Sequence, residues 1–201
     1  MCGIIGYIGK RQASPILLDG LRRLEYRGYD SAGMALSNGH GLEVIRRAGR
    51  IENLRKAVAE INPRGEVGIS HTRWATHGAP TDANAHPHKD ESGKLAVVHN
   101  GVIENYQQLR DWLKGEGHTF SSETDTEVLA HLIGFEYDGS TETDPIQRLV
   151  GAVQTALPRV KGTYGIAVIH EDAPSVIVGA RLGSPLVVGL GEGEHLSLIH
   201  I

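Results

Sequence analysis

The chain has 201 residues, with 24 acidic and 20 basic side chains, a formal net charge of −4 and 40% hydrophobic residues. This balance is ordinary for one globular domain with its own core, and it gives no electrostatic reason to expect nucleic acid or an anionic membrane as a partner. No apolar run approaches the ~20 residues of a membrane span, and no signal-peptide pattern opens the chain. A single cysteine excludes an internal disulfide framework, so a cytoplasmic protein is expected.

Period and turn signals predict short strands and amphipathic helices in the first third of the chain. Strands are predicted at residues 2–9, 34–36, 42–45 and 67–71. Helices are predicted from Ser14-Pro15 to about residue 26, and over 51–61 with an end at Asn62-Pro63. Residues 72–93 show no periodicity and form a long polar loop, which is typical of a functional segment because its aromatic, arginine and histidine content argues against disorder.

The remainder of the chain predicts a helical block followed by strands. Strands are predicted at residues 95–99, 164–169, 176–178 and 186–188. Three helices are predicted around residues 106–113, 128–133 and 144–157, the last with a capping-box-like start at Asp144. Strands early and late with helices between them, together with hairpin signals, favour a single α+β domain with antiparallel sheets.

Cys2 is the only cysteine and follows the initiator methionine. Removal of Met1 would leave a thiol, with a free pKa near ~8.5, beside an α-amine with a pKa of roughly 8. A nucleophile that carries its own base is the basis of N-terminal-nucleophile catalysis. The alternative is a small buried residue at the start of a strand. A dinucleotide loop at Gly3, Gly6 and Gly9 is a weak hypothesis, since no strand precedes these glycines.

Three further segments hold side chains that a cysteine nucleophile would need. Asn100-Gly101 can supply a side-chain and a backbone N–H to an oxyanion, but the same dipeptide is a common turn. Arg73 can bind a carboxylate through two parallel hydrogen bonds, or form a surface ion pair. Asp125 can pair with a substrate ammonium, or cap a helix. An arginine and an aspartate in one site would suit an α-amino acid.

Two other classes of protein remain open on the residues alone. His71, His77, His86 and His88 lie in one segment, and His86-x-His88 is a possible zinc pair, although no second cysteine or acidic cluster lies beside it. A binding module without catalysis would leave the position of Cys2 unexplained. Zinc content distinguishes the metal-site alternative from the other two.

The motifs together identify a family. The chain resembles the glutaminase domain of the glutamine–fructose-6-phosphate aminotransferases, which are class II glutamine amidotransferases. The matching segments are Cys2–Gly6, Glu25–Gly33, His71–Gly78, Asn84–His88, His99–Asn105 and Ser122–Glu127. The first segment is shared across class II amidotransferases, so the glutaminase domain of an amidophosphoribosyltransferase is the alternative. The amino-acid sequence of that family differs, however, over Glu25–Gly33 and Arg73–Gly78.

The resemblance implies a four-layer αββα sandwich of two antiparallel sheets, the N-terminal-nucleophile hydrolase fold. It implies that Cys2, exposed after loss of Met1, attacks the side-chain amide of L-glutamine and forms a γ-glutamyl thioester, releasing ammonia and then glutamate. Asn100 and Gly101 would form the oxyanion hole, and Arg27 would orient the nucleophile. No cofactor and no metal are implied.

Substrate-binding roles are implied for Arg73, Trp74, Thr76, His77, Gly101 and Asp125. Arg73, with Thr76 and His77, would bind the α-carboxylate, Asp125 would bind the α-ammonium, and Trp74 would close the loop over the site. In this interpretation His86 and His88 are structural residues.

The chain departs from the family in two ways. The sugar-phosphate isomerase region that uses fructose 6-phosphate and the released ammonia is absent, and in the family the full-length enzyme is expected to be a homodimer. Residues 195–201 leave the family pattern, so the domain is expected over 2–194, with a truncated, atypical tail and incomplete last strands.

Overall fold

The computed structural model describes residues 2–27, 30–74 and 78–200, and within these ranges the chain forms ten strands and five α-helices. The strands are β1 (Gly3–Ile8), β2 (Ser31–Ser37), β3 (Leu42–Ala48), β4 (Val67–Arg73), β5 (His88–Lys89), β6 (Leu95–Ile103), β7 (Gly162–His170), β8 (Val178–Leu182), β9 (Leu186–Gly191) and β10 (Glu194–His200). The helices are α1 (Ala13–Leu24), α2 (Ile51–Ile61), α3 (Tyr106–Gly115), α4 (Asp125–Asp138) and α5 (Pro145–Ala156). None of the helices in the described ranges has the length and apolar character needed to cross a membrane.

The strands form two antiparallel sheets, and helices cover the outer face of each. One sheet has six strands in the order β3-β2-β4-β1-β10-β9, and the other has four in the order β5-β6-β7-β8. Helices α1 and α2 pack on the first sheet, and α3, α4 and α5 pack on the second. The predicted α+β sandwich of four layers is therefore confirmed.

The structure has three hydrophobic cores, and neighbouring residues of one strand contribute to different cores because successive side chains point to opposite faces of the sheet. In β6, Leu95 and Val97 join the helical layer of α4 and α5, whereas Ala96 and Val98 face the other sheet. In β1, Ile5 faces α1 and Ile4 faces the four-stranded sheet. The inner interface combines Ala35, Ala96 and Ala167 with larger aliphatic side chains.

Local signals set the helix ends close to where the sequence predicts them. Helix α2 ends at Asn62, which adopts the left-handed conformation at φ 52°. The carboxylate of Asp144 accepts hydrogen bonds from the backbone N–H groups of Ile146 and Gln147 and so caps α5. The N-cap of α4 is Thr124, whose hydroxyl accepts from the Glu127 N–H, and Asp125 is the first helical residue.

Several later strands end at residues other than those predicted, because pairing with distant strands sets their length. The strand predicted to end at His99 continues to Ile103, because β6 pairs with β7 along its whole length. The alternative of a turn at Asn100-Gly101 is therefore wrong. The strand predicted at 176–178 lies at 178–182 instead. Residues 194–200 form β10, which pairs with both β1 and β9, and a domain boundary at residue 194 stays a prediction.

Candidate active site

The predicted site residues meet at one end of the interface between the two sheets. Cys2 immediately precedes β1, and Arg73 is the last residue of β4, which pairs with β1 through Gly3 and Thr72. Asn100 lies in β6 of the opposite sheet, on the same face as Ala96 and Val98. Strand alternation therefore turns these three side chains towards the space between the sheets.

Cys2 is half-buried and its sulfur contacts the backbone of Trp74. The Trp74 N–H donates to Cys2 Sγ at 3.2 Å, and the thiol lies 3.6 Å from the Trp74 carbonyl oxygen. Burial raises the pKa of the Cys2 thiol, and the hydrogen bond from the Trp74 N–H opposes this effect. Because the net effect is a raised pKa, Cys2 needs a base in order to attack as a thiolate.

Asn100 links the two sheets beside the nucleophile. Its Nδ2 donates to the carbonyl oxygen of Cys2 at 3.3 Å, and its Oδ1 accepts from His71 Nε2 at 2.9 Å. His71 Nε2 also lies 3.1 Å from the carbonyl oxygen of His99. Both of these partners are acceptors, so Nε2 carries the imidazole proton and the amide orientation of Asn100 is fixed.

Gly101 adopts a backbone conformation that other residues rarely reach. Its φ is +142°, and a Cβ added there would collide with the carbonyl oxygen of Thr163 and approach His99 Nε2 to 2.9 Å. The glycine therefore lets β6 turn a peptide group at this point while the pairing of Gly101 with Tyr164 is kept. A backbone donor beside the Asn100 amide is what an oxyanion site requires.

Three buried histidines, His71, His86 and His88, form a row of ring contacts that begins at the Asn100 amide. The rings of His71 and His86 stack with centroids 4.1 Å apart, and His86 lies edge-on to His88 at 5.0 Å. His86 Nδ1 accepts from the His99 N–H at 3.4 Å, and His88 Nε2 contacts Thr124 Oγ1 at 3.0 Å. Burial lowers the pKa of His71 to about 3 and holds the pKa values of His86 and His88 well below 6.5, so all three are neutral at pH 7.

Arg73 is 3% exposed and anchors the loop that begins after it. Its Nη2 donates to the carbonyl oxygen of Gly78 at 3.0 Å and its Nη1 to that of Ala79 at 3.3 Å. Asp30 Oδ1 lies 3.9 Å from Nη1. Trp74 follows with 52% of its surface exposed, as expected of a side chain at the mouth of a site.

Asp125 is 4% exposed and holds the first turn of α4 against β6. Its Oδ2 accepts from the backbone N–H of Ile103 at 2.9 Å and lies 4.0 Å from His99 Nδ1. His99 Nδ1 in turn contacts Thr126 Oγ1 at 3.0 Å. The helix-capping alternative for Asp125 is wrong, because Thr124 is the N-cap.

The converging side chains enclose a cavity of about 30 Å³. Its lining includes Cys2, Arg73, Trp74, Gly101 and Asp125. This volume holds roughly one water molecule, so an amino acid can bind only if the surrounding side chains separate. A larger cavity, about 680 Å³, lies between α1 and strands β9 and β10, and none of the predicted site residues whose side chains are described lines it.

Three of the predicted site residues cannot be placed by their side chains. Thr76 and His77 lie outside the described residues, and Arg27 is described only as backbone at the end of the 3-10 turn Glu25–Arg27. Their predicted roles therefore stay predictions.

Sequence reasoning missed the supporting part of the site. His99 was not singled out as a functional residue, and His71, His86 and His88 entered only as metal-ligand alternatives. In the structure His71 contacts the Asn100 amide, and the other three histidines are connected to it through the His71–His86 and His86–His88 ring contacts and the His99 N–H. The signal available was strand alternation: His71 lies two residues from Ile69 and Arg73, so it shares their inner face.

Comparisons with known proteins agree with this geometry. A family model described as a glutamine amidotransferase domain matches residues 56–198. The chain is 56% identical over 196 residues to glutamine–fructose-6-phosphate aminotransferase (isomerizing) of Symbiobacterium thermophilum, and 55% identical over 195 residues to that of Thermus thermophilus. These matches cover 98% and 97% of this chain, which spans 31% of the length of either relative.

A solved structure extends the comparison to the fold. Glutamine phosphoribosylpyrophosphate amidotransferase from B. subtilis, complexed with ADP and GMP, superposes with a TM-score of 0.80 at 27% identity, covering 98% of this chain and 41% of that one. The fold predicted from the resemblance is the fold of these amidotransferases. With a family model matched over most of its length and the four-layer architecture in common, the chain belongs to the glutamine amidotransferase domain family.

Proposed function

We propose that the chain hydrolyses L-glutamine to glutamate and ammonia through a thioester on Cys2. The observation that supports this most strongly is the convergence of Cys2, Arg73, Gly101 and Asp125 on one cavity, with Asn100 hydrogen-bonded to the Cys2 carbonyl beside it, in a chain of the amidotransferase family. This set combines a nucleophile, oxyanion donors and two opposite charges suited to the ends of an α-amino acid.

The chemistry begins with removal of Met1, which frees the α-amine of Cys2. The amine takes the thiol proton, and the thiolate attacks the side-chain carbonyl carbon of glutamine. Negative charge develops on the carbonyl oxygen and is stabilised by Asn100 Nδ2–H and the Gly101 N–H. The C–N bond then breaks, the amine returns the proton to the leaving nitrogen, and ammonia departs. Water, deprotonated by the same amine, hydrolyses the thioester and restores the thiol.

The raised pKa of Cys2 supports a role for this base. Burial disfavours the thiolate, so a proton acceptor on the same residue would lower the barrier to attack. Arg73 is proposed to bind the α-carboxylate, with Thr76 and His77, and Asp125 to bind the α-ammonium. Trp74 is proposed to cover the bound substrate, and Arg27 to orient Cys2.

The ammonia acceptor is proposed from the relatives. Identity of 55–56% to glutamine–fructose-6-phosphate aminotransferases supports this chain as the ammonia-producing half of such an enzyme, with fructose 6-phosphate as acceptor in the full-length protein. The phosphoribosylpyrophosphate enzyme at 27% identity supports the alternative acceptor less. A cytoplasmic location and a full-length homodimer belong to the same proposal, as does a domain over residues 2–194.

The test is glutamate release from glutamine by protein whose N-terminus has been defined by intact mass. Cys2→Ala is expected to abolish turnover, because no other thiol exists in the chain. Protein that retains Met1 is expected to be inactive, because the nitrogen of Cys2 is then an amide without a basic lone pair. Turnover by Cys2→Ala would refute the nucleophile, and full activity with Met1 in place would refute the base.

A further inference from the structure

A second group of titratable side chains lies outside the cavity of the candidate active site. His131 lies six residues beyond Asp125 in α4, about 9 Å along the helix axis. Its Nδ1 is 2.9 Å from Nδ1 of His118, which follows α3, and 3.6 Å from Oε2 of Glu91, which follows β5. One ligand atom from each of the three residues lies within 4.8 Å of the others.

We propose that Glu91, His118 and His131 form a binding site for a divalent transition-metal ion, with Zn²⁺ as its best probe. Two imidazole nitrogens and one carboxylate oxygen form a common zinc donor set, which leaves a fourth position for water. Ligand atoms bound at roughly 2.0–2.1 Å in a tetrahedron lie about 3.3 Å apart. The separations of 2.9 and 3.6 Å fall on either side of this value, so small side-chain rotations admit the ion.

The surroundings hold these ligands in the required state. Thr119 donates its backbone N–H to Glu91 Oε2 at 2.8 Å and its hydroxyl to Oε1 at 3.0 Å, which orients the carboxylate as outer hydrogen bonds do in metal sites. His131 is 3% exposed, and its burial lowers the pKa of its imidazole. The imidazole is therefore neutral at pH 7 and able to bind a metal.

An ion can reach the site and is electrostatically favoured there. Glu91 has 43% of its side chain exposed, and a cavity of about 490 Å³ opens beside it. The charged groups that line this cavity are Arg46, Lys89, Asp90, Glu91 and Glu127. Three carboxylates against two cations leave a net negative charge next to His131.

Binding would join three segments that are distant in the sequence. The turn after β5, the loop after α3 and the middle of α4 would share one ion, and the first turn of α4 carries Asp125 of the proposed active site. The bound ion is therefore expected to stabilise the helical layer that supports that site.

The test is calorimetric titration with ZnCl₂, carried out in a Cys2→Ala background so that the thiol does not bind the metal. One ion per chain is expected, together with a rise in the melting temperature. His118→Phe keeps the ring contacts with His131 and Phe135 but removes the ligand. Glu91→Gln removes the carboxylate charge. Each is expected to weaken binding by at least ~10-fold.

The matched control is His40→Ala, which removes an exposed histidine from the loop between β2 and β3. It is expected to leave both the affinity and the melting shift unchanged. The proposal is overturned if the chain binds no zinc, or if His118→Phe and Glu91→Gln bind it as tightly as the control. In those cases the two histidines share only a hydrogen bond.

Discussion

Replacing Asn100 with alanine separates the proposed catalytic role of this residue from its structural one. The substitution removes the amide that donates to the Cys2 carbonyl and accepts from His71 Nε2. His71 Nε2 keeps the His99 carbonyl oxygen at 3.1 Å, so no buried donor is orphaned. Two lost hydrogen bonds then lower the free energy of unfolding by about 1–3 kcal/mol.

The expected effect on catalysis is larger than the effect on stability. Loss of one oxyanion donor lowers kcat by about 10²–10³-fold, or about 2.7–4 kcal/mol, while KM for glutamine changes little because the donor acts on charge that develops in the transition state. Steady-state glutamate release gives kcat and KM, and urea unfolding of the same preparation gives the stability.

Asn105→Ala is the matched control for this experiment. Asn105 also makes two side-chain hydrogen bonds, to the Arg159 carbonyl and from the Lys161 N–H at 2.9 and 2.8 Å. It is expected to lose similar stability with kcat within about twofold of the parent. A decrease in kcat for Asn100→Ala of less than tenfold, or an equal decrease for Asn105→Ala, would refute the oxyanion assignment.

Three further substitutions or conditions test other parts of the site. Gly101→Ala is expected to destabilise the chain by about 1–3 kcal/mol through backbone strain. Gly151→Ala in α5, where a Cβ meets no atom within 4 Å, is expected to stabilise the chain by about 0.5–1 kcal/mol. Equal urea midpoints for the two variants would contradict this prediction. Asp125→Asn keeps an acceptor for the Ile103 N–H but loses the charge, so KM for glutamine is expected to rise about 10-fold or more, and an unchanged KM would exclude Asp125 from ammonium binding. Because the pKa values of His71, His86 and His88 are lowered in the folded state, the unfolded chain takes up protons at a higher pH than the folded chain does. The free energy of unfolding is therefore expected to fall as the pH drops below about 6.5, by up to about 1.4 kcal/mol per pH unit for each histidine, and for His71 this continues towards pH 3. A urea midpoint that is constant from pH 7 to pH 5 would contradict this expectation.

Local signals were sufficient where the structure depends on a few neighbouring residues. The end of α2 at Asn62 and the start of α5 at Asp144 follow from backbone preference and side-chain capping. Local signals were insufficient where pairing with a distant strand determines the local structure. An Asn-Gly dipeptide is usually a turn, yet β7 keeps Asn100 and Gly101 within β6. Strand β10 depends on β1, about 190 residues earlier, so no local pattern marks it.

The sequence named residues of the candidate site, but it did not reveal the contacts that hold these residues in place. The family motifs named Cys2, Arg73, Asn100 and Asp125. Of these, Cys2, Arg73 and Asp125 line one cavity, and Asn100 donates to the Cys2 carbonyl. The motifs did not reveal that Arg73 also anchors the loop at Gly78 and Ala79, nor that His71 donates to the Asn100 amide and stacks on His86. The contact between His71 and Asn100 joins β4 to β6 of the other sheet, and the local sequence pattern does not show which strands meet.

The position of Asn100 explains why the nucleophile and its proposed oxyanion donor lie on different sheets. Cys2 precedes β1 and His71 lies in β4 of the six-stranded sheet, whereas Asn100 belongs to β6 of the other. Asn100 donates to the Cys2 carbonyl and accepts from His71 Nε2, so these two hydrogen bonds require the sheets to lie close together at this end of the sandwich. The inner interface between the sheets includes the small side chains Ala35, Ala96 and Ala167. Close packing of the sheets and alignment of the donor with the thiol are thus one structural requirement.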